Sequence, residues 1–372
     1  MSHASLDPAI AKARLANLRQ QMADTATDLV VLGPSSHMAW LSGVNPHGDE
    51  RPVLLVVTES FCGFLMPALN VDSARAATDL PFYPWSDDQG PAEALDTLLN
   101  DADAKRSGLS VVLDETMRAD FALLLLDALD SPKRRFTDDT IGLLRTRKDA
   151  DESRRIKAAH LLNDAAVAEA FASLKVGMTE KDVEDLIAAH YKKNGAEMAF
   201  CAICFGENSA YPHHNSGSTK LTDNMAVLID TGCILDGYPS DMTRTGFFGT
   251  PDDEFKKVFA VVEDAVVAAL AAAKAGAKAQ DVDLAARNTI AAAGYGEYFL
   301  HRCGHGLGID IHEPPYITAT SERVLEEGNV FSIEPGIYLA GRFGVRLEEI
   351  VILKGEGCEI YSEMDRGMKC QG

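Results

Sequence analysis

The pattern of apolar and polar positions divides the chain into short apolar runs and longer helical stretches. Leu15, Leu18 and Met22 recur at helical spacing near the start, which predicts an amphipathic opening helix. Short apolar runs then alternate with turn signals and helical stretches, which is the pattern of an α/β domain. The predicted strands of this region are residues 29–32, 53–57 and 111–113, and the predicted helix is residues 120–129.

A change in composition marks a domain boundary near residue 147. Residues 145–155 are dense in charge and poor in large apolar side chains, and a long helical pattern follows them. We therefore predict an N-terminal domain of residues 1–147 and a C-terminal domain of residues 148–372, both of the α/β class.

The second half of the chain carries a weak internal repeat with a spacing of 99 residues. The shared unit is a helix, a turn, a second helix, a glycine and a strand. Eighteen residues after each glycine stands a histidine, His213 in the first copy and His312 in the second. Chance matches between alanine-rich helices are the alternative, which the glycines and histidines disfavour. The repeat predicts a duplicated α/β unit that closes on itself. Matching residues include Lys175 and Lys274, Gly177 and Gly276, Asp182 and Asp281, Val183 and Val282, and Gly195 and Gly294.

Two aspartates belong to a predicted hairpin in the first copy of the repeat. Asp236 and Gly237 form a strong signal for a two-residue turn. Counting outward from that turn sets Asp230 opposite Thr243, so that Asp230 and Asp241 share one face as diagonal neighbours. Two carboxylates at that separation repel each other unless a cation lies between them. A solvated face is the alternative for this pair taken alone.

Three further residues are candidate metal ligands. Glu334 follows the apolar run 330–333, where a carboxylate is costly unless it is paired or coordinated. Glu348 stands near Arg346, and a salt bridge with that arginine is its alternative role. Glycines flank His305 on both sides, which lets its backbone and side chain approach a ligand closely.

Together these five residues form an oxygen-rich ligand set with one imidazole. Such a set suits a pair of divalent ions, Mn²⁺ first with Co²⁺ or Zn²⁺ as alternatives, and it suits structural zinc poorly because it lacks thiolates. Bridging carboxylates hold two ions roughly 3.5–4 Å apart, and a shared water becomes hydroxide near neutral pH. The predicted chemistry is therefore hydrolysis. The candidate ligands are Asp230, Asp241, His305, Glu334 and Glu348.

Two other motifs favour ordinary structural roles. Cys201 and Cys204 form a CxxC motif, but it lies within the strand-like run 198–205 without a second pair, which favours buried thiols. The glycines of residues 304–308 resemble a phosphate loop, but no helical pattern follows them, and residues 309–313 favour a strand.

The overall charge argues against two classes of partner. The chain has 35 Lys and Arg residues against 56 Asp and Glu residues, a net charge of −21. Such a field repels nucleic-acid phosphates and anionic lipid, and no basic patch opposes it. The most apolar run, residues 265–273, is too short to span a bilayer. Seven scattered cysteines and the charged residues 1–22, which lack a signal-peptide pattern, predict a cytoplasmic protein.

The chain resembles the creatinase/prolidase/aminopeptidase P group of metallopeptidases. The resemblance is specific over residues 150–360 and looser over the first third, where SHMAWLSGV resembles the N-domain motif of the group. It implies a pita-bread catalytic domain behind a smaller ribonuclease-H-like α/β domain. It also implies a homodimer that cleaves short peptides before proline. The matching segments are NSAYPHH, LIDTGCILDGYPSDMTRT, HRCGHGLGIDIHEPP, FSIEPGIY and GVRLEE.

The resemblance implies how the candidate ligands divide their work. Asp241 and Glu348 would bridge two ions, and Asp230 would bind one of them with both oxygens. His305 would bind through its imidazole. Glu334 would be both a ligand and the acid/base that takes the proton of the bridging water.

The resemblance also implies roles for residues that bind no metal. His213 and His312 would bind the substrate and stabilise the tetrahedral oxyanion. Tyr338 and Arg346 would orient the ligands through hydrogen bonds.

One position departs from the pattern of the group. Its dipeptidases often carry an arginine shortly after the His-Glu pair, where it holds the terminal carboxylate of the substrate. Here Tyr316 stands in that region, and no arginine occurs between Glu313 and Arg323. Because Tyr316 supplies no charge, we expect tripeptides to be cleaved at least as well as dipeptides. Another arginine, such as Arg51 from a partner chain, is the alternative.

Three other functions are compatible with the sequence. The first is a metal-dependent lyase or amidohydrolase of the same fold that acts on a small non-peptide substrate. The second is an aminopeptidase of the methionine type, which does not need the first 145 residues. The third is a non-catalytic peptide-binding module, which a metal assay separates from the enzymes because such a module need not hold two ions.

Overall fold

A computed structural model describes residues 6–371 of the chain. The chain divides into two compact units, one that ends at Arg145 and one that begins at Thr146, two residues before the predicted boundary. None of the helices within residues 6–371 combines the length and the apolar character that a membrane span requires.

From residue 6 onward, the first unit contains six α-helices and six strands. Its helices are α1 (Pro8–Asp24), α2 (Ser36–Ser42), α3 (Ala68–Ala74), α4 (Ala92–Asp101), α5 (Ala119–Asp127) and α6 (Ile141–Thr146), the last of which ends at the first residue of the second unit. Its strands are β1 (Leu29–Leu32), β2 (Leu54–Val57), β3 (Cys62–Pro67), β4 (Phe82–Trp85), β5 (Ser110–Leu113) and β6 (Lys133–Arg135).

The six strands form one mixed sheet in the order β4-β3-β2-β1-β5-β6. The central strands β1 and β2 are buried along their whole length, as expected for a sheet with both faces covered. The apolar runs predicted as strands at residues 29–32, 53–57 and 111–113 correspond to β1, β2 and β5, and the predicted helix corresponds to α5.

Over its described residues, 146–371, the second unit contains four long α-helices and twelve strands. Its helices are α7 (Ala150–Ser173), α8 (Glu180–Lys193), α9 (Asp253–Ala272) and α10 (Ala279–Ala292). Its strands are β7 (Glu197–Phe205), β8 (Met225–Leu235), β9 (Tyr238–Pro239), β10 (Met242–Phe248), β11 (Gly304–Gly306), β12 (Glu313–Ile317), β13 (Val330–Ile333), β14 (Gly336–Leu339), β15 (Phe343–Arg346), β16 (Glu349–Lys354), β17 (Gly357–Ile360) and β18 (Lys369–Gln371).

The internal repeat is visible in the second unit as two helix pairs, each with its own sheet and core. The pair α7 and α8 packs on the sheet β18-β10-β8-β7, and the pair α9 and α10 packs on the sheet β12-β11-β13-β16-β17 and the hairpin β14-β15. Gly195 and Gly294 occupy equivalent places after the second helix of each pair, with φ of 79° and 89°. Both glycines adopt the left-handed conformation that ends a helix.

The predicted register of the first hairpin is confirmed. Leu235 pairs with Tyr238, and Asp230 pairs with Thr243. Asp236 and Gly237 both have positive φ, 50° and 83°, as a type I′ turn requires. Strand β8 continues five residues beyond Asp230, however, so that this aspartate lies within the strand and does not end it. The prediction of a strand over residues 309–313 is wrong, because β12 begins only at Glu313.

Gly232 lies where three strands approach closely. A Cβ atom at this position would overlap the carbonyl oxygen of Ser240 and lie 2.6 Å from the ring of Phe200. We therefore expect Gly232→Ala to lower the free energy of unfolding by about 1–3 kcal/mol, the usual cost of overpacking. Thermal unfolding measures this change. Gly357→Ala is the matched control, because no atom lies within 4 Å of its added Cβ. Equal stability of the two variants would contradict this account of the hairpin.

Candidate metal centre

A cavity of about 620 Å³ opens within the second unit. All five predicted metal ligands line it, together with the two predicted substrate histidines and Arg346. The side chains of both repeat halves therefore meet at one place. Its lining consists of Phe200, Pro212, His213, Asp230, Asp241, His301, Arg302, His305, Ile311, His312, Glu334, Arg346 and Glu348.

Strands and strand ends deliver each of the five candidate ligands. Asp230 lies in the middle of β8, and Asp241 directly precedes β10. His305 is the central residue of β11, and Glu334 directly follows β13. Glu348 lies between β15 and β16. Strands fix side-chain directions more tightly than loops do, so the ligand set is positioned before any ion binds.

The ligand atoms fall into overlapping groups in which all atoms lie within 4.8 Å of one another. Neighbouring groups share members, so the donors form one continuous cluster. The groups are Asp230 with Asp241 and Glu348, His305 with Glu334 and Glu348, and Asp241 with His305 and His312.

The imidazole of His305 is oriented toward the acidic side chains. Its Nδ1 lies 3.1 Å from the carbonyl oxygen of Gly306, so an Nδ1–H donates to the backbone. Its Nε2 lies 3.3 Å from Glu334 Oε1 and 3.6 Å from Asp241 Oδ2. A backbone partner at Nδ1 leaves the lone pair of Nε2 directed into the cluster, as in a histidine that binds metal.

Burial and like charge make the ionised acids of the cluster costly. Desolvation, followed by repulsion from Glu348, Asp230 and Glu334, raises the pKa of Asp241 well above its usual range. Desolvation and the charges of Glu334 and Asp230 raise the pKa of Glu348 in the same way. The Oε1 atom of Glu348 is buried without a hydrogen-bond partner. A divalent cation would satisfy that oxygen and offset the repulsion.

A chain of hydrogen-bonded side chains contacts the carboxylates of the cluster and restricts their orientation. The Arg346 guanidinium donates to Asp230 Oδ2 at 2.6 Å, to the Tyr338 hydroxyl at 2.9 Å and to Thr243 Oγ1 at 3.0 Å. Thr243 in turn donates to Glu348 Oε2 at 2.9 Å, and the Tyr338 hydroxyl lies 2.7 Å from Nε2 of His301. Desolvation by burial raises the pKa of Tyr338 to about 12, so its hydroxyl stays protonated.

Glu334 and His312 have protonation states suited to chemistry near neutral pH. Burial alone would raise the pKa of Glu334, but when both ring nitrogens of His305 carry a proton, its hydrogen bond and charge outweigh burial and lower that pKa. Desolvation, with repulsion from His305 and Arg302, lowers the pKa of His312 to about 4. Glu334 is therefore a carboxylate at neutral pH, and His312 is a neutral imidazole.

Each of the two predicted substrate histidines lies beside an anchored neighbour. Next to His213, the Nε2 of His214 lies 2.9 Å from Glu180, a fully buried carboxylate that also accepts from the backbone N–H groups of Phe205 and Gly217. Next to His312, Glu313 forms a buried ion pair of 2.7 Å with Lys148. These carboxylates hold the loops of both histidines, because breaking such a buried pair leaves an uncompensated charge.

A group of two acids and a histidine in the first unit differs from the cluster, because its carboxylates have hydrogen-bond partners within the protein. His37, Asp114 and Glu115 also bring three ligand atoms together. There, however, Asp114 accepts from the Ser35 hydroxyl and from Thr116, and Glu115 accepts from His37 and Thr137. These groups are paired within the protein and need no cation.

Three residues of the site were missed by the sequence analysis. His301 and Arg302 line the cavity, and Thr243 bridges Arg346 and Glu348. The proximity of His301 and Arg302 to His305 in the sequence was the available signal. Tyr316, predicted as a substrate residue, is not part of the cavity lining, and its ring lies 4.6 Å from the guanidinium carbon of Arg302.

Comparison with known proteins agrees with this geometry. Residues 154–354 match the model of metallopeptidase family M24, and residues 14–140 match that of the creatinase/prolidase N-terminal domain. An Xaa-Pro dipeptidase of Lactobacillus helveticus is 33% identical over 95% of this chain and 98% of its own length.

Solved structures show the same fold over almost the whole chain. A dipeptidase, PepE, from Mycobacterium ulcerans has a TM-score of 0.92 and 31% identity, with 99% of each chain covered. A prolidase from Thermococcus sibiricus has a TM-score of 0.89 and 32% identity, with 99% of this chain and all of that chain covered. The matches confirm the predicted pita-bread fold and the presence of a smaller N-terminal domain. The chain belongs to metallopeptidase family M24.

Proposed function

We propose that the protein is a metal-dependent Xaa-Pro dipeptidase that hydrolyses the peptide bond before proline in short peptides. One observation carries the proposal: Asp230, Asp241 and Glu348 converge at the floor of a cavity that also contains His213 and His312. The relatives named Xaa-Pro dipeptidase and prolidase, which match almost the whole chain, support the choice of peptide bond.

The residues present fit two divalent cations. Asp241 and Glu348 would bridge the two ions, Asp230 would complete one side of the site, and His305 and Glu334 would complete the other. The unpartnered Oε1 of Glu348 and the raised pKa values of Asp241 and Glu348 support this assignment. The oxygen-rich donor set suits Mn²⁺ first, with Co²⁺ or Zn²⁺ as alternatives.

The bound cations would supply positive charge that polarises the peptide carbonyl and lowers the pKa of a bound water. Glu334 is ionised and would accept the proton of the attacking water on a carboxylate oxygen, then donate it to the proline nitrogen as the peptide bond breaks. Its Oε1 accepts from Ser332 and approaches His305, which leaves Oε2 for the proton. Neutral His312 donates an N–H to the developing oxyanion, and His213 binds the substrate from the other half of the repeat.

The chain Arg346–Tyr338–His301 holds this arrangement in place. Arg346 forms an ion pair with Asp230 that restricts rotation of the Asp230 side chain. Arg346 also donates a hydrogen bond to the Tyr338 hydroxyl. Nε2 of His301 accepts a hydrogen bond from the Tyr338 hydroxyl, because the Nδ1–H of the same ring donates to the Arg302 carbonyl oxygen. The hydrogen bonds of this chain all run in one direction, toward His301.

We also propose that the protein is a homodimer in the cytoplasm. Family resemblance supports the dimer, and the free cysteines support a reducing compartment. The alternatives are a lyase or amidohydrolase of the same fold and a peptide-binding module without catalysis. A panel of Xaa-Pro dipeptides and non-proline dipeptides, assayed with added Mn²⁺, separates all three from the proposed peptidase.

Activity on Ala-Pro depends on metal in this account. Exhaustive chelation should abolish hydrolysis of Ala-Pro, and added Mn²⁺ or Co²⁺ should restore it, because the cations polarise the carbonyl. Release of proline measures the activity. Ala-Ala is the substrate control, and we expect it to be cleaved at least tenfold more slowly. Full activity after chelation would exclude the proposed mechanism.

Replacing Glu348 should stabilise the metal-free protein. Glu348→Gln removes a buried charge and retains the acceptor for Thr243, so at pH 7 the Tm should rise by about 2–4 °C in chelator. This gain in Tm should shrink as pH falls toward the pKa of a glutamate in the unfolded chain. The raised pKa means that the Glu348 carboxyl of the native protein is protonated at a higher pH than the same carboxyl in the unfolded chain. With Mn²⁺ bound, the native protein should instead have the higher Tm. Glu327→Gln, at an exposed position, is the control. A less stable metal-free variant would contradict the predicted repulsion.

His312 and Glu334 should differ in what their removal costs. His312→Ala should retain the bound metal and lose roughly 10²–10³-fold in kcat, the scale of one oxyanion donor. Glu334→Gln should lose more, because it removes both a ligand and the proton acceptor. Metal content and kcat on Ala-Pro measure both effects, with His190→Ala, outside the cavity, as the control. A metal-free His312→Ala variant together with an active Glu334→Gln variant would reverse the assignment.

A further inference from the structure

Arg302 is a positively charged residue that lines the cavity of the candidate metal centre. It lies three residues before His305. Within residues 6–371, its guanidinium lies over the ring of Tyr316, with 4.6 Å between the guanidinium carbon and the ring centroid. It forms no ion pair with any carboxylate in that part of the chain, although four acidic residues line the same cavity.

The charge of Arg302 has no counterpart among the other charged groups of the cavity. The other cavity arginine, Arg346, pairs with Asp230 and is hydrogen-bonded to Tyr338 and Thr243. Two divalent cations would balance the four carboxylates of the cluster. The charge of Arg302 then stays uncompensated in a partly enclosed space, where a matching anion is favoured.

The setting of Arg302 favours a planar anion. A guanidinium offers parallel N–H donors that match both oxygens of a carboxylate. Its contact with the face of Tyr316 limits its motion and leaves its N–H edge for a ligand. Its charge also acts on the nearby His312, which places it close to the proposed reaction centre.

We propose that Arg302 binds a carboxylate of the peptide substrate and thereby determines specificity. This inference rests on the proposed function. Two carboxylates have the required chemistry: the terminal carboxylate of a dipeptide and the side chain of an acidic first residue. Arg302 supplies the charge that Tyr316 lacks, and it precedes the His-Glu pair. The other candidate from the sequence, Arg51, is already held by both oxygens of Asp87.

The test compares Arg302→Gln with the native protein on two matched substrate pairs. Ala-Pro and Ala-Pro amide differ in the terminal carboxylate, and Asp-Pro and Asn-Pro differ in the side chain. If Arg302 binds the terminal carboxylate, kcat/KM for Ala-Pro falls roughly ten- to a hundred-fold in the variant, while the amide changes by less than about threefold. If Arg302 binds the side chain, the preference for Asp-Pro over Asn-Pro is lost instead.

Two controls separate specificity from a general defect. Arg154→Gln removes an exposed arginine outside the cavity and should change neither pair. Arg302→Lys keeps the charge without the paired donors and should recover part of the lost selectivity. Bound metal and Tm should match those of the native protein in every variant.

A binding measurement keeps this inference separate from the proposed function. Calorimetry gives the affinity of the Mn²⁺-loaded protein for proline, prolinamide, Asp-Pro and Asn-Pro. If no peptide is hydrolysed, the proposed function fails. Even then, the role of Arg302 is supported if Arg302→Gln loses affinity only for the ligand of one pair that has the additional carboxylate. That ligand is proline in the first pair and Asp-Pro in the second. Equal losses on both members of each pair, or no loss at all, would overturn the inference whether or not the native protein is active.

Discussion

The main constraint on the second unit is the repulsion among four carboxylates, of which Asp241 and Glu348 are buried and Asp230 and Glu334 are partly buried. Asp230, Asp241, Glu334 and Glu348 line one cavity, and three of their oxygens lie within 4.8 Å of one another. Ionised groups that are this close and this buried destabilise a fold unless opposite charge is supplied. Arg346 supplies one charge, at Asp230. The two proposed divalent cations would more than offset the negative charge that remains.

The duplicated architecture provides the rigidity that such a site requires. Strand β10 belongs to the sheet of the first repeat and β16 to that of the second, and buried Arg244 joins them. Its guanidinium forms an ion pair of 3.0 Å with Glu349 and donates to the carbonyl oxygen of Glu348. Thr243 also bridges the two halves through its hydrogen bond to Glu348. The carboxylates are therefore held together by contacts between the two sheets, not by the ions alone.

The sequence predicted the parts of the site that local rules control. The Asp236-Gly237 turn set the register of β8 against β10, which brought Asp230 opposite Thr243. The spacing of His213 and His312 followed from the helix pairs of the repeat. Residue chemistry and family resemblance together named the candidate ligands, and all five line one cavity.

The remaining parts depend on contacts between distant segments, which no local rule gives. The link from Thr243 to Glu348 spans two sheets, and the anchoring of Glu313 by Lys148 joins residues far apart in the chain. The pattern of the group places a substrate-binding arginine after His312, whereas Arg302 reaches the cavity from before His305. Residues 309–313 have a strand-like pattern, but residues 309–312 form bends, because the chain must turn there to bring His312 beside His305.

The central claim is that the acidic cluster is a two-metal centre. The most direct test is the number of Mn²⁺ ions bound per chain, measured by elemental analysis after metal-free protein is reloaded and free metal is removed. The account predicts two ions per native chain and a lower number when Asp241, one of the proposed bridging ligands, is replaced by Asn. A native chain that binds no ion would contradict the metal centre, and a chain that saturates at one ion would contradict its dinuclear form.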